Sequence, residues 1–445
     1  MWEVDITKYK KDLEDAIVKA DTIVIFDNLL TIAVELWASD VHIEPFENYS
    51  RIRLRIDWVL QDFIHYPKNI QDSIIAKFKI ESGQMRPDEK RMPQDARVST
   101  VTLTNKEIDL RANTLPTVWW EKLVMRIVDK SKKVPPLDVM GIEGANNKIL
   151  YECLELPNGI ILTTWPTWSG KSTTLYAALN YINTDDVNIT TYEDPVENKA
   201  DWLNQSQVRS DIGYTFASGL RAALRQDPDI IMVWEIRDQE TLETGMEAAM
   251  TWHLVFSTIH ANSAAETITR VINMWAVPYM VSGTFSLVMA QRLWRTICPD
   301  CKKEVNIKEK YPALYNNAKE VLSDMDKTHI KKELSLRWIS WTQWNKFISE
   351  GKAYLGTWKT EDGEVCPTCW GSWCKWRIWI YELLPFDDDV KNLLIQGKTA
   401  FEIEDFALNN WMINLERDGI FKVIQGKVSI DEVYRLTKHK RVKKS

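Results

Sequence analysis

Glycine is scarce in this chain. Its 445 residues include only 16 Gly, whereas an ordinary composition would give roughly 31. Tryptophan is in excess, with 21 residues where about one in a hundred is usual. Because the deficit and the surplus are both about fifteen residues, chance is a poor explanation, and the motifs have to account for both.

Other absences narrow the class of protein. No apolar run approaches the ~18 residues of a membrane-spanning helix, and the first residues lack an apolar signal segment. Six Cys are too few for a disulfide framework in a chain of this length. The net charge of −7 gives no general reason to expect nucleic-acid binding. A hydrophobic content of 45% and a charged content of 27% exclude collagen, coiled coil and wholesale disorder, and the length indicates two to four domains.

The spacing of apolar residues indicates an α/β protein. Short apolar runs alternate with helical patterns in the middle of the chain, which predicts a parallel sheet with helices on its faces. The runs are GIILTT (159–164), VNITTY (187–192), DIIMV (229–233) and HLVFST (253–258). Segment 129–138, DKSKKVPPLD, is typical of a linker. We expect an N-terminal domain over 1–130, a core over 131–296, a cysteine region with a charged helical insert over 297–383, and C-terminal helices over 384–445.

The segment TTWPTWSGKSTTLYAAL (163–179) has most of a phosphate-binding loop. That loop has the pattern G-x-x-x-x-G-K-[ST] after a strand and before a helix. Gly170, Lys171 and Ser172 are in place, but Trp165 stands where the first Gly belongs. Backbone N–H groups of such a loop surround phosphates, the Lys reaches the β and γ phosphates, and the hydroxyl binds Mg²⁺. The alternative is a chance GKS at a helix start.

Three further segments carry candidate catalytic residues. In TYEDPVE (191–197), Glu193 and Asp194 follow an apolar run, where carboxylates can hold Mg²⁺ or orient a water, although a solvated turn before proline is equally consistent. Glu235 ends the run in RQDPDIIMVWEIRD (225–238), where it could polarise an attacking water. His253 and His260 flank the last run; a buried histidine is often structural, but we expect both beside the other pieces.

Four cysteines form two C-x-x-C pairs, Cys298 with Cys301 and Cys366 with Cys369. Such pairs predict a closed tetrahedral Zn²⁺ site. The 64 residues between the pairs exceed the commonest spacing, so the pattern alone is moderately specific. Cys374 is interpreted as a spare thiol and Cys153 as an ordinary buried residue.

Taken together, these segments resemble the ATPases of type II secretion and type IV pilus assembly. The resemblance covers roughly residues 25–430. It also includes WASDVHIEP (37–45), KRMPQDARV (90–98) and the cysteine region. It implies a PAS-like N-terminal α+β domain, a RecA-like P-loop ATPase core, a tetracysteine zinc subdomain and C-terminal helices.

The resemblance also implies roles for particular residues. Glu235 would be the Walker B glutamate, Glu193 and Asp194 the Asp box, and His253 and His260 the His box. Arg97 and Arg111 match positions that reach ATP phosphates, for which the planar guanidinium is suited; the alternative for either is a surface ion pair. The ATP-binding set would be Thr167, Ser169, Gly170, Lys171, Ser172 and Thr173, with Mg²⁺ on Ser172.

By the same resemblance the protein would be a homo-hexameric motor that hydrolyses ATP to power pilin polymerisation. It would lie in the cytoplasm at the inner face of the cytoplasmic membrane, attached through a platform protein, with no direct nucleic-acid contact. The longer N-terminal domain of many members is expected to be missing or very short. Alternatives are a type II secretion or DNA-uptake ATPase, a RecA-like DNA translocase, and a nucleotide-gated structural ring.

The tryptophan surplus falls on positions where the family pattern has glycine. These thirteen positions are Trp37, Trp58, Trp120, Trp165, Trp168, Trp234, Trp252, Trp275, Trp370, Trp373, Trp376, Trp379 and Trp411. Two alternatives are decay of a gene that is no longer functional and a deliberate tryptophan scan. Random decay would not convert one residue type to one other so consistently. The hypothesis we favour is a gene in which UGA encodes glycine, translated with a code that reads UGA as tryptophan. Indoles at 165 and 168 would occupy the space of the phosphates, so a chain containing them should bind ATP poorly.

Overall fold

The computed structural model describes residues 6–56, 59–129, 134–164, 171–196, 198–360, 362–369 and 371–437. The chain divides into two compact units, Met1–Lys133 and Val134–Ser445. The division falls inside the charged, proline-containing segment 129–138. The second unit includes the sheet, the cysteine region and the C-terminal helices together, so the finer four-domain division stays a prediction.

Within its described residues, the first unit has an antiparallel sheet and three α-helices. The elements are α1 (Ile6–Lys19), α2 (Thr22–Glu35), β1 (Asp40–Pro45), β2 (Tyr49–Ile56), β3 (Val59–Pro67), α3 (Gln71–Ser82), β4 (Gln94–Val101), β5 (Glu107–Pro116) and β6 (Glu121–Asp129). The strands follow the order β3-β2-β1-β6-β5-β4 in the sheet.

Alternation along β2 shows how the sequence builds this sheet. Ile52 and Leu54 are fully buried, while Arg51 and Arg53 on the opposite face both donate to the Glu44 carboxylate, at 3.0 and 2.7 Å. Because side chains of a strand alternate between faces, one apolar row covers the core and one charged row lies outside it. The three cationic neighbours of Glu44, which include Lys122, outweigh the effect of its burial and lower its pKa to about 2.

The second unit contains a mostly parallel sheet. The elements are α4 (Ala145–Leu154), β7 (Gly159–Thr164), α5 (Lys171–Ile182), β8 (Ile189–Glu193), β9 (Asn204–Gln207), α6 (Phe216–Ala223), β10 (Ile230–Val233), α7 (Gln239–Met250), β11 (Leu254–Ile259), α8 (Ala264–Asn273), α9 (Pro278–Thr284), β12 (Phe285–Ile297), β13 (Lys302–Asn306), α10 (Ile307–Lys310), α11 (Pro312–Ser323), α12 (Lys327–Leu336), α13 (Trp341–Asn345), β14 (Lys352–Gly356), β15 (Cys374–Pro385), α14 (Asp388–Ile395), α15 (Ala400–Asn410), α16 (Leu415–Ile424) and α17 (Ile430–Thr437).

Its main sheet has the order β15-β12-β7-β11-β10-β8-β9. All neighbouring pairs are parallel except β12 with β15. Strands β7, β8, β10 and β11 coincide closely with the four apolar runs and are buried throughout, as expected for strands covered by helices on both faces. The predicted α/β class with a parallel core sheet is therefore confirmed.

Strand β12 connects the two chemically distinctive parts of this unit. Its first half pairs with β7, and Cys298 follows its last residue, Ile297. The helical insert and the last two helices, α16 and α17, share a second buried core. The Arg337 guanidinium is fully buried and lies 2.8 Å from Glu333 and 2.6 Å from Asp418. Among the described residues, none of the helices has both the length and the apolar character needed to cross a membrane.

Candidate active site and metal centre

Polar residues gather where four neighbouring parallel strands end. In spatial order these strands are β7, β11, β10 and β8. Helix α5 begins seven residues after β7 ends, His260 follows β11, Glu235 lies two residues after β10, and Glu193 ends β8 with Asp194 next to it. Open α/β sheets bind ligands at this carboxyl edge, so the sheet brings the predicted carboxylates and one histidine to a single place.

The Glu235 carboxylate is held from two sides. His260 Nε2 lies 3.0 Å from one of its oxygens, and Arg237 Nε donates to the other at 2.8 Å. The Glu235 side chain is 10% exposed, whereas the His260 side chain is 40% exposed. A buried carboxylate with fixed orientation beside an accessible edge has the arrangement required of a general base.

Arg237 also contacts the neighbouring strand end. Its Nη1 lies 3.3 Å from Asp194 Oδ2, so one guanidinium bridges Glu235 and Asp194. Burial alone would lower the pKa of Arg237, but the two carboxylates outweigh burial and raise that pKa. The guanidinium therefore stays charged and offsets the repulsion between the two acids.

Glu193 lies deeper and is fully buried. Its oxygens accept hydrogen bonds from Tyr176 Oη at 2.7 Å, Thr191 Oγ1 at 2.8 Å and Gln205 Nε2 at 3.0 Å. Tyr176 lies on α5, the helix that follows the candidate phosphate loop. Glu193 is thus positioned to tie that helix to β8 and to the adjoining Asp194.

The candidate phosphate loop is described only in part. Thr167, Ser169 and Gly170 lie outside the described residues, as do Trp165 and Trp168. Lys171 and Ser172 open α5, and Thr173 in its first turn is half-buried. The observed strand, loop and helix order is the one the motif requires. The individual roles of these residues stay predictions.

His253 does not join the site, contrary to expectation. It precedes β11, whereas His260 follows that strand. The six residues of β11 lie between the two, so they are about 23 Å apart along the strand, and only one of them can reach the carboxyl edge. The His253 ring lies instead 3.0 Å from Ala248 O and 3.2 Å from Thr251 Oγ1, at the end of α7.

The two arginines that were predicted to reach ATP phosphates, Arg97 and Arg111, lie side by side on the sheet of the first unit. Arg97 on β4 pairs in register with Arg111 on β5, which in turn pairs with Arg126 on β6. All three line a groove of about 520 Å³ together with Asp40 and Asp95. Arg126 is 3.3 Å from Asp40. A row of guanidinium groups across one sheet face is suited to binding phosphate oxygens.

The four predicted cysteine ligands converge. Cys298, Cys301, Cys366 and Cys369 are all buried, and their sulfur atoms lie within 4.8 Å of one another. Cys298 and Cys366 are 3.9 Å apart, and Cys301 and Cys369 are 3.7 Å apart. A tetrahedral site with Zn–S bonds of about 2.3 Å requires sulfur separations of about 3.8 Å. The donor set and its spacing therefore fit Zn²⁺.

Comparison with known proteins identifies the family. Residues 15–435 match the model of the family described as "Type II/IV secretion system protein". The chain belongs to that family. It is 36% identical over 435 residues to the "Type IV pilus assembly ATPase PilB" of Myxococcus xanthus, covering 97% of this chain and 71% of the relative. It is also 36% identical over 428 residues to the "Type II secretion system protein E" of Aeromonas hydrophila, covering 96% and 78%.

Solved structures agree with this type II/IV secretion ATPase fold. The Legionella pneumophila ATPase DotB superposes with a TM-score of 0.63 at 20% identity, covering 94% of this chain and 96% of the other. A "Pilus Retraction Motor PilT and Bound ADP" structure gives 0.57 at 23% identity, covering 92% and 96%. As a member of this ATPase family, the chain is an enzyme that uses a nucleotide.

Sequence reasoning missed three residues of the candidate site. Arg237, Tyr176 and Gln205 hold the carboxylates of Glu235, Asp194 and Glu193. Arg237 stands two residues after Glu235, so proximity along the chain could have indicated it. Tyr176 and Gln205 carry no such signal, because their partner lies on a different element.

Proposed function

We propose that this protein is a motor ATPase that powers type IV pilus assembly. The observation that carries the proposal is Glu235, held by His260 and Arg237 at the same sheet edge from which β7 leads into the phosphate-loop helix, with β11 between the two strands. Relatives named as pilus assembly ATPases support a role in pilus assembly. A relative named as a type II secretion protein makes a role in type II secretion the main alternative.

In the proposed mechanism Glu235 acts as general base on the water that attacks the γ phosphate. Lys171 and the backbone of the phosphate loop would hold the phosphates. Ser172 would hold Mg²⁺, which would supply positive charge beside them. The protein's contribution is positioning and electrostatics, because phosphoryl transfer needs little covalent help. Glu193 keeps α5 in register with β8 through Tyr176.

The remaining proposals concern assembly. The proposed motor is a homo-hexamer in which Arg97 and Arg111 reach nucleotide phosphates. It lies in the cytoplasm, at the inner face of the cytoplasmic membrane, where a platform protein of the pilus machine receives its motion. Direct nucleic-acid contact is not part of this proposal.

The test of the enzymatic proposal is Glu235→Gln. It uses the glycine form, defined as the chain with glycine at the thirteen tryptophan positions named under Sequence analysis. Glu235→Gln should lower the rate of ATP hydrolysis about 10²-fold or more, while ATP affinity stays within about twofold. An unchanged rate would refute the role of Glu235. In the tryptophan form, with Trp165 and Trp168 present, ATP binding should be weak.

Two alternatives have their own tests. A DNA translocase would hydrolyse ATP faster when single- or double-stranded DNA is added, whereas the pilus motor would not. Pilus assembly and secretion are separated by deleting the gene in its host. Loss of surface pili with normal secretion supports assembly, and the reverse supports secretion.

We further propose that the four cysteines bind one Zn²⁺. Burial raises the pKa of the Cys301 thiol to about 12, so buried thiolates need a cation to offset their charge. Metal analysis of the purified protein should find one zinc per chain. Absence of zinc, with the protein folded and its thiols reactive, would contradict this assignment.

A further inference from the structure

Tryptophan dominates the left-handed backbone of this protein. Ten non-glycine residues in the described part of the chain have positive φ, and seven of them are tryptophan. They are Trp37, Trp252, Trp275, Trp338, Trp358, Trp373 and Trp376, with φ between 55° and 68°. A bulky L-residue rarely adopts this conformation, whereas glycine adopts it freely.

Four of these tryptophans end helices in the same way. Trp37, Trp252, Trp275 and Trp338 each follow the C-cap residue of α2, α7, α8 or α12. In every case the next residue donates its N–H to the carbonyl five positions earlier, as Ile339 does to Leu334 at 2.9 Å. This is the Schellman motif, whose left-handed position is usually glycine.

Two other helices provide an internal comparison. Gly397 after α14 and Gly426 after α16 have φ of 74° and 68°. Lys398 and Lys427 donate to the carbonyls five positions earlier, at 3.0 and 2.9 Å. The same terminating geometry therefore occurs with glycine and with tryptophan in one chain, which means that the motif and not the indole determines it.

Six of the seven left-handed tryptophans are exposed, and Trp373 is half-buried. Trp338 is 94% exposed and Trp275 is 80% exposed. By contrast, Trp344 lies in helix α13, is 7% exposed and stacks on Phe421. Since tryptophan normally contributes by burying its large ring, the exposed set gains little from being tryptophan.

Backbone conformation adds two positions to the thirteen derived from family patterns. Trp338 and Trp358 were not among them, yet both have left-handed backbone. Trp358 O accepts from Cys366 N at 3.0 Å beside the cysteine cluster. Replacing fifteen tryptophans by glycine would leave 6 Trp and 31 Gly, and 31 is about the expected glycine content.

We propose that glycine occupies positions 338 and 358 in the cellular protein, as it does at the other left-handed tryptophan positions. The gene then reads UGA as glycine, and the helix ends and cysteine loops recover the residue their backbone favours. This inference stands on backbone geometry and does not depend on the proposed function.

The test is peptide mass spectrometry of the protein purified from its natural host. Tryptic peptides 338–346 and 353–359 report on positions 338 and 358, and fragmentation assigns each residue. Glycine is expected at 338 and 358, with tryptophan retained at 344 in the first peptide as the matched control. Tryptophan at 338 or 358 would overturn the proposal. Glycine at 344, a buried helical position, would overturn the use of left-handed backbone to assign glycine to position 338 and not to 344 within this peptide.

A second observation carries an independent inference, which rests on the proposed ATPase function. Arg237 lies within hydrogen-bonding distance of both Glu235 and Asp194, at 2.8 and 3.3 Å, and connects two strand ends. His260 holds the other oxygen of Glu235. With Arg237 removed, Glu235 would lose one of these two anchors and the adjoining carboxylates would repel each other.

We infer that Arg237 is a positioning residue. It fixes the orientation in which Glu235 accepts a proton from the water that attacks the γ phosphate. In the glycine form, Arg237→Ala should lower kcat about 10- to 100-fold and leave ATP affinity within about twofold. Arg237→Lys should recover only part of kcat, because an ammonium group lacks the planar fork that serves two carboxylates. Arg209→Ala removes an exposed pair with Asp211 and serves as the matched control, with kcat unchanged.

The outcomes distinguish a failure of the proposed ATPase function from a failure of the proposed role of Arg237. If the glycine form hydrolyses no ATP, the proposed function fails and the role of Arg237 fails with it. If the glycine form is active and Arg237→Ala is equally active, only the role of Arg237 is overturned. A loss of ATP affinity as large as the loss of kcat would also overturn it, because a residue that merely supports the fold or binds substrate would show that result.

Discussion

The cysteine cluster and the carboxylate edge are joined by one strand, but they are built by different rules. The cluster has four identical side chains, fully buried, in two pairs that are each local in sequence. The edge collects unlike side chains from the ends of separate strands, and His260 and Arg237 there are 40% and 52% exposed. The cysteine cluster needs only one contact between two local pairs, whereas the carboxylate edge depends on the order of the whole sheet.

Among the variants that test the difference between the two regions, substitution of a proposed zinc ligand should cause the largest loss of stability. Cys366→Ser removes one of four buried sulfurs, so we expect zinc to be lost and the free energy of unfolding to fall by more than about 4 kcal/mol. Metal analysis and urea unfolding measure the two effects. Cys374→Ser is the matched control, because Cys374 is buried nearby but lies outside the cluster. If Cys374→Ser also loses the zinc, the four-ligand assignment is wrong.

The sequence predicted these two regions unequally. All four cysteines were identified from spacing, since each pair is local and only one long-range contact had to form. At the carboxylate edge, Glu235, Glu193, Asp194 and His260 lie together because parallel strands end at the same edge, and their roles stay predictions. His253 was misplaced because motif proximity ignores which end of a strand a residue occupies. Tyr176 and Gln205 could not be found, since their pairing with Glu193 exists only after β8, β9 and α5 pack together.

Strand β12, which joins the two regions, pairs with β15, and a glutamate on β15 should make the free energy of unfolding depend on pH. We expect this effect to be of intermediate size. Glu382 on β15 is fully buried, and burial is the main reason that its pKa rises to about 7. Its oxygens accept from Ala264 N at 2.7 Å and Leu415 N at 3.3 Å. A raised carboxyl pKa stabilises the fold below the unfolded value and loses that contribution as pH rises through about 7.

The measurement is urea unfolding at pH 5 and pH 8 in the parent and in Glu382→Gln. The parent should lose roughly 3 kcal/mol more than the variant between these pH values, because glutamine does not ionise. Equal pH dependence in both would show that Glu382 does not change its protonation state between pH 5 and pH 8.

The two histidines test whether strand-end topology determines the active site. In the glycine form, His260→Ala should lower kcat about 10- to 100-fold, since it removes the partner of one Glu235 oxygen. His253→Ala should leave kcat within about twofold, because that ring lies at the other end of β11. Steady-state ATP hydrolysis measures both. Equal losses in the two variants would mean that His253 reaches the site in the assembled motor.

The smallest expected effect concerns helix ends outside both regions. Trp338→Gly should stabilise the recombinant tryptophan form by about 1 kcal/mol, because left-handed backbone costs an L-residue about 1–2 kcal/mol and the exposed indole offers little in return. Trp344→Gly should destabilise it by about 3–5 kcal/mol, because a buried ring is lost. Urea unfolding of the two variants gives opposite signs for the same chemical replacement. If both destabilise the chain, the Schellman position does not favour glycine here. If the signs differ as expected, the left-handed position at 338 favours glycine and the buried helical position at 344 favours tryptophan.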